Sequence, residues 1–161
     1  MKSRIFAVVM ALMLVLIVGI VSAAPVAAAK LPASQGYAQQ LIATYPWTGD
    51  SLQTQLANCQ IVVNYLDQHP QMVQQFYMFH NYLFKLESEQ IIVEDGKSYN
   101  DPLCNSYPNS GLSTKARIQM CQLVLDYDKW ELAHFNASYM TMSSISISQG
   151  FYSSLLSQLT H

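Results

Sequence analysis

A stretch that occurs twice constrains the fold of this chain more than any other feature. Aligned without gaps at an offset of 62, residues 37–65 match residues 99–127 at ten positions. The matches include a tyrosine-proline pair, a glycine and a cysteine in each copy. Self-similarity at a fixed offset is typical of a tandem repeat. We therefore predict a duplication of about 62 residues, with a first copy at 37–98 and a second at 99–160.

Each copy predicts a turn followed by a helix. Tyrosine-proline and then glycine favour a turn, and the serine two residues after the glycine, Ser51 or Ser113, is a good helix N-cap. Apolar residues then recur at helical spacing, which is typical of amphipathic helices in bundles. In the first copy this stripe is Leu52, Leu56, Cys59, Val63 and Leu66. In the second it is Ile118, Cys121, Leu125, Leu132, Phe135, Tyr139 and Met142, with Asp128 interrupting it.

The copies diverge after this helix. In the first, His69-Pro70 breaks the chain, and a second helix is predicted to bury Met72, Phe76, Phe79, Leu83 and Leu86. In the second, no turn signal occurs near Leu132, so the helix from Ser113 either divides or continues to about Ser148, before a stop at Gln149-Gly150 and a short final helix. We predict an all-α fold, a small helical bundle of three long or four shorter helices.

The residues before the repeat have the character of a targeting segment. A basic start is followed by a run without charged or strongly polar residues at 5–21, and then by small residues. This order is typical of a secretory signal peptide, and the run also approaches the length of a membrane span. Residues 1–23 are predicted to be a cleaved signal peptide or an uncleaved anchor, with a linker at 24–36 and one domain at 37–161. Either alternative predicts a secreted or extracytoplasmic protein.

The remaining chain is weakly charged. After Ala23 it has six Lys or Arg and ten Asp or Glu, a formal net charge of −4, and no basic cluster. Binding to a phosphate backbone needs several clustered cations, so we expect no nucleic-acid partner. We expect membrane contact only through an uncleaved N-terminal segment.

Three cysteines in an exported chain predict a disulfide bond and one remaining thiol. If the first three long helices run up, down and up, Cys59 and Cys121 lie at similar depth on core-facing stripes. Our leading prediction is therefore a bond between these two residues. A bond that uses Cys104 and three buried free thiols are the alternatives, and Cys104 in an exposed loop could instead link two chains.

Two short patterns are candidate ligand sites. Glu131 and His134 have the spacing that places a carboxylate and an imidazole on one helix face, as in di-iron bundles, but such bundles need the pattern on two helices. An exposed ion pair between neighbours on one helix explains the spacing more simply. His80 lies at the edge of an apolar face, where it could ligate a haem with His134 or a methionine, or could serve as a packing residue.

No set of residues converges on a catalytic arrangement, and no cofactor is assigned. We predict a non-enzymatic, exported helical-bundle protein that acts by protein–protein binding, with another protein or as a homo-oligomer, or as a subunit of a surface or membrane-associated assembly. The alternative is a haem- or metal-binding bundle for electron transfer or sequestration. Because tyrosine is enriched at interfaces, the two repeated loops are the predicted contact surfaces. Their candidate residues are Tyr45, Pro46, Trp47, Tyr107 and Pro108.

Overall fold

Six helices and no strands make up the described part of the chain. The computed structural model describes residues 35–69, 71–134 and 139–161. The helices are α1 Gln35–Ala43, α2 Leu52–Leu66, α3 Val73–Glu94, α4 Pro102–Asn105, α5 Thr114–His134 and α6 Tyr139–Thr160. The predicted all-α class is confirmed. The predicted signal peptide or anchor at 1–23 lies outside the described residues, as does the predicted linker up to residue 34.

The serine caps predicted from the repeat begin two of the long helices. Ser51 Oγ accepts the N–H of Thr54 at 3.2 Å, and Ser113 Oγ accepts the N–H of Ala116 at 3.3 Å. The two capped helices begin 62 residues apart, at Leu52 and Thr114. Both copies thus share a loop, a cap and a helix start, and their common origin stays a prediction.

The long helices form a bundle that is an open row. Among the described elements, α1 contacts α2, α2 contacts α3, and α3 contacts both α4 and α5, while α5 contacts α6. Of these described elements, α2 contacts neither α5 nor α6, and α3 does not contact α6. Side-chain contacts such as Cys59 with Phe79, and His80 with Trp130, show that successive long helices run antiparallel. The predicted up, down, up course is therefore correct, and the four-helix alternative applies.

The apolar core has two parts. The larger lies between α2 and α3 and includes the first tyrosine-proline loop; its buried members are Leu41, Trp47, Cys59, Val62, Val63, Leu66, Phe76, Phe79 and Leu86. The smaller lies where the end of α3 meets α4 and α5, and consists of Ile92, Cys104, Leu112, Ala116 and Met120. The predicted stripes of α2 and α3 are confirmed in this core, with Leu52, Leu56, Met72 and Leu83 half-buried at its margin.

The face that α5 turns to its neighbours differs from the predicted one. The buried residues of α5 are Ala116, Met120, Cys121, Val124 and Asp128, so the predicted stripe shares only Cys121 with them. Leu132 is exposed, as is Met142 on α6. The cause is Asp128, which interrupts the apolar pattern in the sequence but lies inside the interface, where Ser148 of α6 hydrogen-bonds its carboxyl group.

The alternative of one continuous helix from Ser113 to about Ser148 is wrong. Side chains of Asp128 and Ser148 are hydrogen-bonded, whereas residues 20 positions apart on one helix are about 30 Å apart. The predicted stop at Gln149-Gly150 is also wrong, because α6 passes through it without interruption. Helices α5 and α6 therefore form an antiparallel hairpin. No helix in the described ranges is both long and apolar enough to span a membrane.

The predicted disulfide bond between Cys59 and Cys121 is not formed. All three cysteines are free and buried. No Cα atom of α2 lies within 8 Å of one in α5, and α4 approaches neither helix so closely, whereas a disulfide needs Cα atoms closer than about 7 Å. The prediction failed because α3 lies between α2 and α5. Cys104 was expected in an exposed loop but is only 1% exposed, so it is not placed to link two chains.

Candidate functional site

The predicted ligand residues His80 and His134 meet around one indole ring. Trp130 of α5 stacks on His80 of α3 with ring centroids 4.0 Å apart and planes at 11°. The same indole stacks on His134 at 5.2 Å, and Phe76 contacts both imidazoles, at 4.4 Å and 5.5 Å. The structure thus assembles an aromatic cluster from residues that the sequence presents as separate candidates.

Hydrogen-bond acceptors occupy both ring nitrogens of His80. Nδ1 lies 2.8 Å from the carbonyl oxygen of Phe76, and Nε2 lies 3.2 Å from Asp67 Oδ1. Burial lowers the pKa of His80, and the two acceptors offset part of that lowering. A haem iron would need one of these nitrogens. The geometry therefore supports the packing interpretation, in which His80 joins the end of α2 to α3 and α5.

Glu131 and His134 are neighbours on α5 but have different partners. Glu131 is hydrogen-bonded to Tyr127 and Tyr77, and burial raises its pKa, with a further contribution from Asp128. His134 Nδ1 lies 2.9 Å from the carbonyl oxygen of Trp130. Within the described ranges, no group of three or more His, Cys, Asp or Glu side chains is arranged to hold a metal ion.

The first tyrosine-proline loop belongs to the core. Trp47 is only 7% exposed, stacks on Phe79 at 5.8 Å and donates its indole N–H to the carbonyl oxygen of Leu41 at 3.1 Å. Tyr45 contacts Phe79 and Tyr82, each with centroids 5.1 Å apart. The prediction that Trp47 is a contact residue is therefore wrong, because its side chain fills the space between α2 and α3. Pro46 beside it is exposed.

The second loop carries its tyrosine at the surface. Tyr107 is 47% exposed and contacts two rings of α6, Phe151 at 5.5 Å and Tyr152 at 5.3 Å. Pro108 is exposed, and its carbonyl oxygen accepts a hydrogen bond from Arg117 Nε at 3.3 Å. The second loop therefore extends an apolar surface that begins on α6.

One side of α6 is exposed and uncharged. Ile147 and Phe151 are large apolar side chains more than half exposed, and an added Cβ at Gly150 between them would meet no atom within 4 Å. Helix α6 contains no charged residue. We call this surface the α6 edge and define it by Tyr107, Ile147, Gly150 and Phe151. The surface was not predicted, because Gly150 was expected to end a helix; its signal in the sequence is the absence of charged residues over 135–160.

Comparison of the chain with protein-family models, with curated proteins and with solved structures finds no match. The contacts and exposure of its own residues are therefore the basis for a functional conclusion.

Proposed function

We propose that this protein acts by protein–protein binding as a non-enzymatic, exported subunit of a homo-oligomer, and that the α6 edge is the contact surface between copies. The observation that carries the proposal is the mid-helix Gly150 on an uncovered, uncharged helix face. Three properties of this face support it, which are its exposed apolar side chains, its lack of charge and its glycine.

Exposed apolar side chains favour burial of the α6 edge. Phe151 and Ile147 are four residues apart, so they lie on one side of the helix, and Tyr107 extends the same surface. Adjacent large apolar side chains on a surface are typical of protein interaction sites. Burying such area releases about 25 cal/mol per Å². Covering this surface is therefore favourable for a partner of matching shape.

The distribution of charge favours a second copy as the partner. All charged side chains of the four long helices lie on the two middle helices, α3 and α5. The outer helices α2 and α6 have none, and α2 is packed by α1, whereas α6 contacts only α5 among the described helices. Two identical α6 edges can meet without like-charge repulsion and without desolvating a charge. An uncharged edge is thus compatible with itself.

Gly150 supports close approach of another helix. A glycine inside a helix costs about 1 kcal/mol relative to alanine. Gly150 does not have a positive φ, and its missing side chain leaves room for no described neighbour. The described residues therefore provide no conformational or packing reason for the glycine, whereas the backbone of a neighbouring helix would.

The exposed residues around Gly150 form a groove beside a ridge. The groove consists of small residues at spacings of 4, 3 and 4, which are Ser146, Gly150, Ser153 and Ser157. The ridge is Ile147 and Phe151. A two-fold axis parallel to α6 places the ridge of each copy against the groove of the other, because such an axis exchanges left and right sides of the contact. We take this parallel pair of α6 helices as the arrangement of the dimer.

The test compares Gly150→Leu with Ala57→Leu, which adds a side chain of the same kind at an exposed position of α2. Analytical ultracentrifugation of the full chain is expected to show a dimer for the wild type and for Ala57→Leu. Gly150→Leu should weaken association at least about tenfold, a loss of about 1.4 kcal/mol in the free energy of association. At a concentration where both proteins are monomeric, its melting temperature should equal or exceed that of the wild type, because leucine is a better helix former than glycine. A wild type that is monomeric at all concentrations, or association unchanged by Gly150→Leu, would contradict the proposal.

A further inference from the structure

Asp128 is a buried carboxyl group at the interface between α5 and α6 that is only partly satisfied. Asp128 is only 5% exposed to solvent. Ser148 of α6 hydrogen-bonds the carboxyl group, while Oδ2 has no hydrogen-bond partner among the described residues. A buried polar atom without a partner is unusual in a folded protein. The proposed function makes no use of this residue.

The groups that face Asp128 contribute no positive charge. On its own helix they are Tyr127 and Glu131, and on α6 they are Ser148 and Tyr152. From α3, Tyr77 and Asn81 reach this region through their hydrogen bonds to Glu131 and Tyr127. Lys129 points to solvent, where it pairs with Asp126 at 3.4 Å. An ionised Asp128 would therefore lie in a buried interface, beside an acidic neighbour and without a positive charge from the described residues to compensate for it.

We propose that Asp128 is a proton-dependent switch for the α5–α6 hairpin: α6 stays packed on α5 when the carboxyl group is protonated and separates more readily when it is ionised. The packing geometry makes α6 the helix that responds. It contacts only α5 among the described helices, so no other described helix compensates for a weakened interface with α5. Opening also removes Phe151 from Tyr107 and so disrupts the α6 edge.

The direction of the pH dependence follows from burial. Burial raises the pKa of Asp128 above the ordinary value, and the bond from Ser148 offsets only part of this. The closed hairpin therefore binds the proton more tightly than the open one does. Its stability is greatest at acidic pH and is lost as the pH rises from the ordinary carboxyl range through the raised pKa. Glu131, whose pKa burial also raises, changes stability in the same direction, and His80, whose pKa is lowered, in the opposite one.

Hydrogen exchange of the full chain between pH 4 and pH 8 tests the switch. After correction for intrinsic exchange, the opening equilibrium of α6 amides, relative to those of α2, is expected to rise with pH in the wild type, by up to about tenfold for each unit between the ordinary and the raised pKa, and to level off above the raised pKa. Asp128→Asn retains an acceptor for Ser148 but cannot ionise, so its α6 amides should show little change with pH. Asp126→Asn is the matched control, since Asp126 is exposed on the same helix and should leave the wild-type dependence intact.

Unchanged pH dependence in Asp128→Asn, or its loss in Asp126→Asn, would overturn the switch. Ser148→Ala provides a second measurement, since loss of the donor should move the transition to higher pH; an unmoved transition would count against the proposal. The effect of the switch on dimer formation rests on the proposed function, and sedimentation at the same two pH values separates the two. A monomer whose α6 opening depends on Asp128 supports the switch and contradicts the dimer. A dimer in which the opening of α6 does not depend on Asp128 supports the dimer and contradicts the switch.

Discussion

The two tyrosine-proline loops perform the same local task, but only the first builds a core. Trp47 and Asn109 hold equivalent positions 62 residues apart, and both are buried. Each donates a side-chain N–H to a carbonyl oxygen of the preceding helix, at Leu41 for Trp47 and at Cys104 for Asn109. The indole also fills the space between α2 and α3, whereas the amide is too small to reach the next hairpin. The loop's hydrogen bond is thus separable from its contribution to the core.

The helix pairs that follow the two loops also differ in how apolar their contacts are. Leu86 of α3 is fully buried in the larger cluster, and the position that matches it in the second copy is Ser148, which bonds Asp128. An apolar contact in one hairpin corresponds to a polar contact in the other. We therefore expect most of the apolar stabilisation to come from α2 and α3, and the α5–α6 hairpin to be the less stable region.

The largest expected difference between the hairpins concerns their phenylalanines. Phe79→Ala should lower the free energy of unfolding by about 3–5 kcal/mol, because it leaves a cavity among Tyr45, Trp47 and Tyr82. At protein concentrations too low for the proposed dimer to form, Phe151→Ala should change it by less than about 0.5 kcal/mol, since that ring is more than half exposed. Urea denaturation of the two variants measures both values. Similar losses for the two variants would show that the hairpins do not differ as described.

The hydrogen bond common to the two loops predicts an intermediate effect. Trp47→Phe keeps most of the ring but removes the donor to Leu41, and Asn109→Ala removes the donor to Cys104. Each variant loses one side-chain hydrogen bond to a carbonyl oxygen, which costs about 0.5–1.5 kcal/mol. The Leu41 carbonyl oxygen keeps the Thr44 hydroxyl as a donor at 3.3 Å. Thermal unfolding should show comparable losses for both variants and none for Ser110→Ala, an exposed residue of the second loop. A much larger loss in one loop would mean that the bond does not have the same role in both.

The two caps predict the smallest effect. Ser51→Ala should cost about 1 kcal/mol, as expected for loss of an N-cap. Ser113→Ala should cost more, because the Ser113 hydroxyl also donates to the Asp95 carboxylate at the end of α3. The backbone N–H of residue 113, which donates to the same carboxylate, is retained in the variant. These bonds lower the pKa of Asp95, so their contribution is present at neutral pH and is lost as the carboxylate is protonated. The difference in melting temperature between the variants should be largest at neutral pH and should shrink as the pH falls from the ordinary aspartate range toward the lowered pKa of Asp95; a difference that stays constant would contradict this assignment.

Much of the fold could be predicted because local signals act locally. The serine caps depend on a few neighbouring residues, and the stripes of α2 and α3 contain no polar interruption, so both were found from the sequence. The face of α5 was not, because Asp128 resembles a surface residue until its contact with Ser148 is known. The prediction of a Cys59–Cys121 disulfide bond was wrong for a related reason. Helix spacing predicts the depth of a residue but not which helices are neighbours. At the candidate site, the sequence alone does not distinguish a glycine that ends a helix from a glycine inside an exposed helix, and Gly150 is of the second kind.

The three unbonded thiols have a kinetic consequence. The thiolate is the form that reacts with oxidants and alkylating reagents, and burial raises the pKa of Cys59 to about 12, so this form is scarce at neutral pH. Cys59 lies between α2 and α3, Cys104 in the smaller cluster and Cys121 on the buried face of α5. Modification of each thiol therefore has to wait until its own part of the molecule opens. The labelling rates of the three thiols, measured by mass spectrometry, therefore report the opening of three separate regions, and no substitution is needed to introduce the reactive groups.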